Sequence, residues 1–199
     1  MPFIGNQPAK VPLTSADITD GIITSAKIAD STIGLADLSA TGTKNATTFL
    51  RGDNTWGAVS TSGTIVSSTS DVYTGGAFYS YSTSFVQGSS SFAVTVTPAS
   101  TANKILIICS FNAYNASDGS GYANFTLYRN STNLGDATYG MGTMDLNDGT
   151  VPATIHYLDS PSSTSALTYS LYIRTSGTGG VYVNNNNGSI YITALEIKG

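Results

Sequence analysis

Apolar positions along this chain follow two periods, ten residues near the start and two residues thereafter. Thr14-Ser-Ala-Asp-Ile18-Thr-Asp-Gly-Ile-Ile23 is answered by Thr24-Ser-Ala-Lys-Ile28-Ala-Asp-Ser-Thr-Ile33, and a partial third copy, Gly34-Leu-Ala-Asp-Leu38, follows. The aliphatic anchors are Ile18, Ile28 and Leu38, with Ile23 and Ile33 as a second set. Each full copy predicts one helical turn opened by a threonine cap, broken at Asp20-Gly21 or Asp30-Ser31, and followed by a short extended piece. Fixing the backbone of ten residues costs roughly 10–20 kcal/mol. Burying two aliphatic side chains returns only about 3–6 kcal/mol. Copies of the same segment on other chains close that deficit most simply. Residues 14–38 therefore read as one strand of an intertwined multi-chain shaft, with Ile18, Ile23, Ile28, Ile33 and Leu38 as its contacts.

From Thr64 onward the pattern is that of strands. Phe92 to Thr97 alternates with period two, and Lys104 to Tyr114 reads as a strand buried through Ile105, Ile107, Cys109 and Phe111. Further sets are Ala123, Phe125 and Leu127; Ala153, Ile155 and Tyr157; and Leu167, Tyr169, Leu171 and Ile173. Strands of this length and spacing predict an all-β body, a β-sandwich or jelly roll. The last strand is apolar on both faces, Ile190, Ile192 and Ala194 against Tyr191, Leu195 and Ile197. Its second face needs something to pack on, and a neighbouring subunit supplies it, so Tyr191, Leu195 and Ile197 are the expected head contacts between chains.

Two segments flank the repeats. Residues 1–13 carry Pro2-Phe3-Ile4, Pro8 and Val11-Pro12-Leu13. Prolines at this density argue against helix or central strand, and the apolar Phe3, Ile4, Val11 and Leu13 with Pro2 suit docking to another protein. Residues 39–63 are a connector of small polar residues interrupted by Phe49-Leu50-Arg51-Gly52-Asp53-Asn54-Thr55-Trp56-Gly57, expected to plug the junction of shaft and head. The expected organisation is a docking segment over 1–13, a shaft and junction over 14–63, and a head over 64–199.

Composition narrows the chemistry. Charged residues are 10% of 199, against the usual ~25%, and the net charge is −4. A nucleic-acid binder needs a basic face, and eight scattered Lys and Arg do not make one. The single cysteine, Cys109, forms no internal disulfide and reads as a small buried hydrophobe. No signal peptide is expected from the opening residues, and no apolar run reaches the ~20 residues that span a bilayer. Synthesis in a cytoplasm without membrane insertion is the expectation. The single histidine, His156, has no Gly-x-Ser-x-Gly elbow to accompany it. One His and one Cys do not make a zinc site. Asp145-Leu-Asn-Asp-Gly149 lacks the spacing of a calcium loop. No catalytic residue, metal or cofactor is therefore expected.

The decapeptide repeats, the junction Phe49-Leu-Arg-Gly-Asp-Asn-Thr-Trp-Gly57 and the ending Ser189-Ile-Tyr-Ile-Thr-Ala-Leu-Glu-Ile197 together resemble tail-fibre proteins of tailed bacteriophages. Lys104-Ile-Leu-Ile, Gly121-Tyr-Ala-Asn-Phe-Thr-Leu-Tyr-Arg129 and Tyr157-Leu-Asp-Ser-Pro161 look like segments of small trimeric fibre heads with a tumour-necrosis-factor-like jelly roll. The resemblance implies a homotrimer, attachment to other phage tail proteins through the N-terminus, and binding of a host receptor through the head.

With eight strands alternating in direction and the last running toward the shaft, three loops fall at the far end: Tyr114–Tyr122, Met144–Thr150 and Ser176–Gly188. They are rich in Tyr, Asn, Asp and Gly, which suits sugar binding: flat rings for pyranose faces, amides and carboxylates for hydroxyls. The expected receptor-binding residues are Tyr114, Asn115, Asp118, Tyr122, Asp145, Asn147, Asp148, Asn184, Asn185, Asn186 and Asn187. The reading is a phage fibre or tail-tip protein of the virion that binds a bacterial surface glycan or outer-membrane protein and is not an enzyme. The alternatives are a virion adaptor or decoration protein that binds another viral protein, and a polysaccharide depolymerase.

Overall fold

The computed structural model describes residues 12, 14–34, 37, 39–59, 61–115, 121–145, 149–184 and 188–199. It divides into two compact units, residues 1–60 and 61–199. The expected docking residues Pro2, Phe3, Ile4, Val11 and Leu13, and the anchor Leu38, lie outside the described residues.

In the first unit the ten-residue period is visible in the backbone. Ser15–Asp17 and Ser25–Lys27 are single 3₁₀ turns, each followed by an extended isoleucine, Ile18 and Ile28. Gly21 and Ser31, ten residues apart, both take a left-handed conformation, φ +76° and +66°. The threonine hydroxyl does not cap the turn as expected. Instead the Asp17 carboxylate reaches back to accept from the Thr14 N–H and hydroxyl, both at 2.7 Å. Asp37 does the same to the Gly34 N–H at 2.8 Å. These bonds hold the Asp17 carboxyl below its ordinary value, the Thr14 hydroxyl first. Ile18, Ile23, Ile28 and Ile33 are all exposed in the single chain. The junction is a hairpin of β1 (Thr48–Leu50) and β2 (Trp56–Ala58), with Leu50 opposite Trp56. Asn54 at φ +58° and Asp53, which accepts from the Thr55 hydroxyl at 2.6 Å, form its turn.

Among its described residues the second unit is built of strands alone: β3 (Ile65–Tyr73), β4 (Phe78–Ser80), β5 (Val86–Gln87), β6 (Ala93–Val96), β7 (Lys104–Asn115), β8 (Ala123–Arg129), β9 (Thr132–Asn133), β10 (Gly142–Met144), β11 (Thr150–Asp159), β12 (Leu167–Thr175), β13 (Val181–Val183) and β14 (Ile190–Ile197). All the ladders are antiparallel. Several strands are halves of one interrupted row. β13 and β14 line one edge of β7 end to end, and β3 and β4 continue each other beside them. β5 and β6 share an edge of β12, and β9 and β10 an edge of β8. Counted as rows in chain order, the first sheet runs 1-8-3-6 and the second 2-7-4-5, which is jelly-roll order. Six pieces escape a reading of hydrophobic periodicity: β3, because Ser67-Ser-Thr-Ser70 carries no apolar alternation, and β4, β5, β9, β10 and β13, because they are three residues or fewer.

The inward sets make the core. Ile105, Ile107, Cys109, Phe125, Leu127, Tyr169, Leu171, Ile173, Ile192 and Ala194 have no exposed surface, and Phe111 meets Phe125 at 4.9 Å between ring centres. Burial pushes the Cys109 thiol far above its ordinary value, which keeps it protonated and inert. At one end of the sandwich, here called the base, the core closes on two carboxylates rather than on apolar side chains. Asp159 and Glu196 flank Ile105 in the neighbouring rows. Asp159 accepts two bonds from Arg129 Nη1 at 2.8 Å and one from the Tyr169 hydroxyl at 2.7 Å, tying the two sheets together. Burial first, and then this bond, raise the Tyr169 hydroxyl far above its usual range. Tyr169→Phe is expected to cost about 1–2 kcal/mol, read as a lower urea midpoint at unchanged slope.

Candidate functional site

An antiparallel sheet with one solvated face alternates apolar-in and polar-out. The second sheet alternates in this way, although Asn124, Thr126 and Ser170 at the centre of its polar face are buried. Its outward positions include Thr95, Thr168, Ser170, Gln87, Thr126, Asn124 and Arg174, with Tyr128 stacked on Tyr172 at 3.7 Å and Arg174 over the Phe85 ring.

The first sheet does not. Its registers set the outward side chains in cross-sheet ranks. From the base these are Ile65 and Ile197; Ser68, Leu195, Leu106 and Leu158; Ser70, Thr193, Ile108 and His156; then Val72, Tyr191, Ser110 and Thr154. Above them come Asn112 and Pro152, and finally Tyr79, Tyr182, Tyr114 and Thr150. These ranks hold no carboxylate and no arginine. Lys104 at the base rim and His156 on the edge row are their basic side chains. Ile65, Val72, Tyr191 and Leu158 are roughly half exposed. Hydroxyl pairs Ser70–Thr193 and Ser110–Thr154, each at 3.0 Å, satisfy one another within the face. Tyr191, Leu195 and Ile197 thus point away from the core, on the same side as Leu106 and Ile108.

The lower ranks are aliphatic and the top rank is aromatic. Tyr79 stacks on Tyr182 at 5.1 Å and 21°, Tyr114 meets Tyr182 edge-on at 6.1 Å, and the Tyr81 and Tyr182 hydroxyls lie 2.8 Å apart. That bond first, then desolvation, raises the Tyr182 hydroxyl above its ordinary value. Tyr79, Tyr81 and Tyr182 were not among the residues expected from the sequence. The signal was Phe78-Tyr-Ser-Tyr81 with Tyr182 and Tyr114, but only the pairing of β4 with β13, and of β13 with β7, brings them together.

Several expected receptor residues are placed differently from the expectation. The final strand ends at the base, where the chain enters this unit: Ile197 pairs Ile65, and the Lys198 carbonyl accepts from the Gly63 N–H. The β7–β8, β10–β11 and β12–β13 connections are at the opposite end. Tyr122 is there, half exposed and held by reciprocal bonds with Ser176, and Asp145 is exposed there. Tyr114 is not in a loop but on the sheet face, and the backbone of Asn115 pairs with Val181. The stretch 176–188 is not one tip loop, because Val181–Val183 is strand, paired with β4 and β7. Asn184 is a correction. It is wholly buried at φ +61°, and its amide donates to the Gly75 carbonyl at 2.8 Å, so it braces the break in the neighbouring row and is not open to a receptor. Asp118, Asn147, Asp148, Asn185, Asn186 and Asn187 lie outside the described residues.

No family model matches the chain, and no curated protein matches it in sequence. Among solved structures, the VP2 subviral particle of infectious bursal disease virus is a distant likeness, 14% identical with a TM-score of 0.31. The match takes in 68% of this chain, which spans 38% of that one.

Proposed function

We propose that this chain is a homotrimeric fibre or tail-tip protein of a bacteriophage, which attaches the virion to a bacterial surface without catalysis. The outward face of the first sheet carries the reading. A face without carboxylate or arginine that holds Leu106, Ile108, Leu158, Leu195 and Ile197 is unlike the polar outward face of the second sheet in the same molecule and like the core of an interface between subunits. The exposed isoleucines of the repeats ask for the same partner, further copies of the chain. The resemblance to phage fibres supplies the number three and the role of attachment.

Light scattering on the full chain is expected to give a mass near three chains. A stable monomer at micromolar concentration overturns the assembly. Removing residues 1–13 is expected to leave a trimer that still coats host cells but no longer enters virions. Normal entry without them overturns the docking role. Deleting the head, residues 64–199, is expected to abolish adsorption, and loss of virion assembly instead favours an adaptor. A fall in the size of purified host polysaccharide during incubation overturns the absence of catalysis.

A further inference from the structure

We propose that the upper half of the first sheet's outward face is a binding site for a neutral glycan, built from the tyrosines of β4 and β13 and the cleft below them. The proposal rests on the attachment reading and gives it residues and a ligand class.

The aliphatic ranks stop at Val72, where the edge row β3–β4 and the row beside it, β14–β13, are interrupted. Above the break the chemistry changes. Tyr79 and Tyr81 are 61% and 54% exposed, yet their rings are fixed by the stack on Tyr182 and the hydroxyl pair. Gly180 completes the seat: a Cβ there would lie 2.7 Å from the Tyr81 ring and 3.0 Å from Tyr182. Rings held in place present π-faces with little conformational entropy left to lose on binding.

Just below opens a cleft of about 280 Å³, with Ser110, Asn112, Thr154, Ser189 and Tyr191 in its walls. Asn112 Oδ1 is buried at this cleft without a hydrogen-bond partner among the described residues. Buried polar atoms are nearly always satisfied, so this orphaned amide oxygen points to a donor that the described residues do not supply. Sugar hydroxyls are such donors, and their ring C–H faces match tyrosine. A few convergent polar groups beside aromatic walls is the usual make-up of a small-ligand site. The described residues of this half carry no charge on the outward face, which suits an uncharged ligand on a chain of net charge −4. An interface between copies would continue the leucines and isoleucines of the lower ranks. Here they give way to rings, hydroxyls and amides.

The test applies the full chain to a printed array of neutral and carboxylated bacterial glycans, with light scattering on every variant. At least one neutral glycan is expected to bind, with little dependence on salt. The double change Tyr79→Ala and Tyr81→Ala is expected to weaken that binding about tenfold or more, and Asn112→Ser to weaken it with the tyrosines intact, all at unchanged mass. Binding to carboxylated glycans alone, no binding at all, or unaltered binding by both variants overturns the proposal. So does dissociation of the oligomer by the tyrosine changes, which would assign the cluster to a second copy. A monomeric wild type that still binds a neutral glycan removes the assembly and leaves this site. An assembled protein that binds no glycan does the reverse.

Discussion

Leu195→Asp is expected to turn the assembled protein into folded monomers. Leu195 lies in the second row of the first sheet, between Ser68 and Leu106, with its side chain away from the core. The inward neighbours Ala194 and Glu196 are unaffected, so a carboxylate at 195 is hydrated in the monomer and its strands still pair. In a trimer that buries this face the same carboxylate loses its water, and the nearest cation is Lys104, diagonally one rank away at the rim. An unpaired buried charge costs about 3–5 kcal/mol, and three are introduced at once. Light scattering should give the mass of one chain, with the far-ultraviolet circular dichroism of the parent. Ile108→Asp, one rank higher in the adjoining row, should act alike. Gln87→Asp, exposed on the second sheet, should leave the mass unchanged. A Leu195→Asp protein that keeps the parental mass would show that the face is not where chains meet.

Glu196→Ala is expected to be the most destabilising single change at the base, by about 3–5 kcal/mol, because each buried donor left without its acceptor costs about 1–3 kcal/mol. Glu196 is 2% exposed. Its Oε1 accepts from the Asn103 amide at 2.6 Å and the Ala99 N–H at 2.7 Å, and its Oε2 from the Ser67 hydroxyl at 2.9 Å. One carboxylate thus joins the end of β14, the start of β3 and the β6–β7 connection. Burial by itself would raise this carboxyl, but the three hydrogen bonds outweigh it and hold it below the ordinary value. A depressed folded value means that the stabilisation is complete above the unfolded carboxyl value of about 4.3 and is lost as the pH falls through the folded one. Urea midpoints should therefore be flat from neutral pH to about pH 5 and drop below about pH 4. Glu196→Gln keeps an acceptor for Asn103 and Ala99. It should cost less than the alanine change and flatten the acid limb. An acid limb unchanged in the glutamine variant would place the pH dependence elsewhere.

The sequence by itself determined the local features of this protein. The ten-residue period is a statement about bonds spanning a few residues. It reappears as two 3₁₀ turns and paired left-handed residues at Gly21 and Ser31, with the detail reversed: Asp17 reaches back to Thr14 because a carboxylate accepts two donors where a hydroxyl would accept one. The inward sets of β7, β8, β12 and β14 were equally legible, since alternation in a strand fixes which side chains share a face. What alternation leaves open is which strands are neighbours. Only the tertiary structure decided that Leu106, Leu158 and Leu195 form one uncharged rank, that Tyr79, Tyr81, Tyr114 and Tyr182 meet, and that Asp159 and Glu196 close the core beside Ile105. It also decided that Asn184, one more asparagine in a polar run, is buried at a break between half-strands. Each of these rests on pairing between residues tens of positions apart, where the free energy lies in cross-strand registers and in the burial of particular polar atoms, and neither is written in the spacing of residues along the chain.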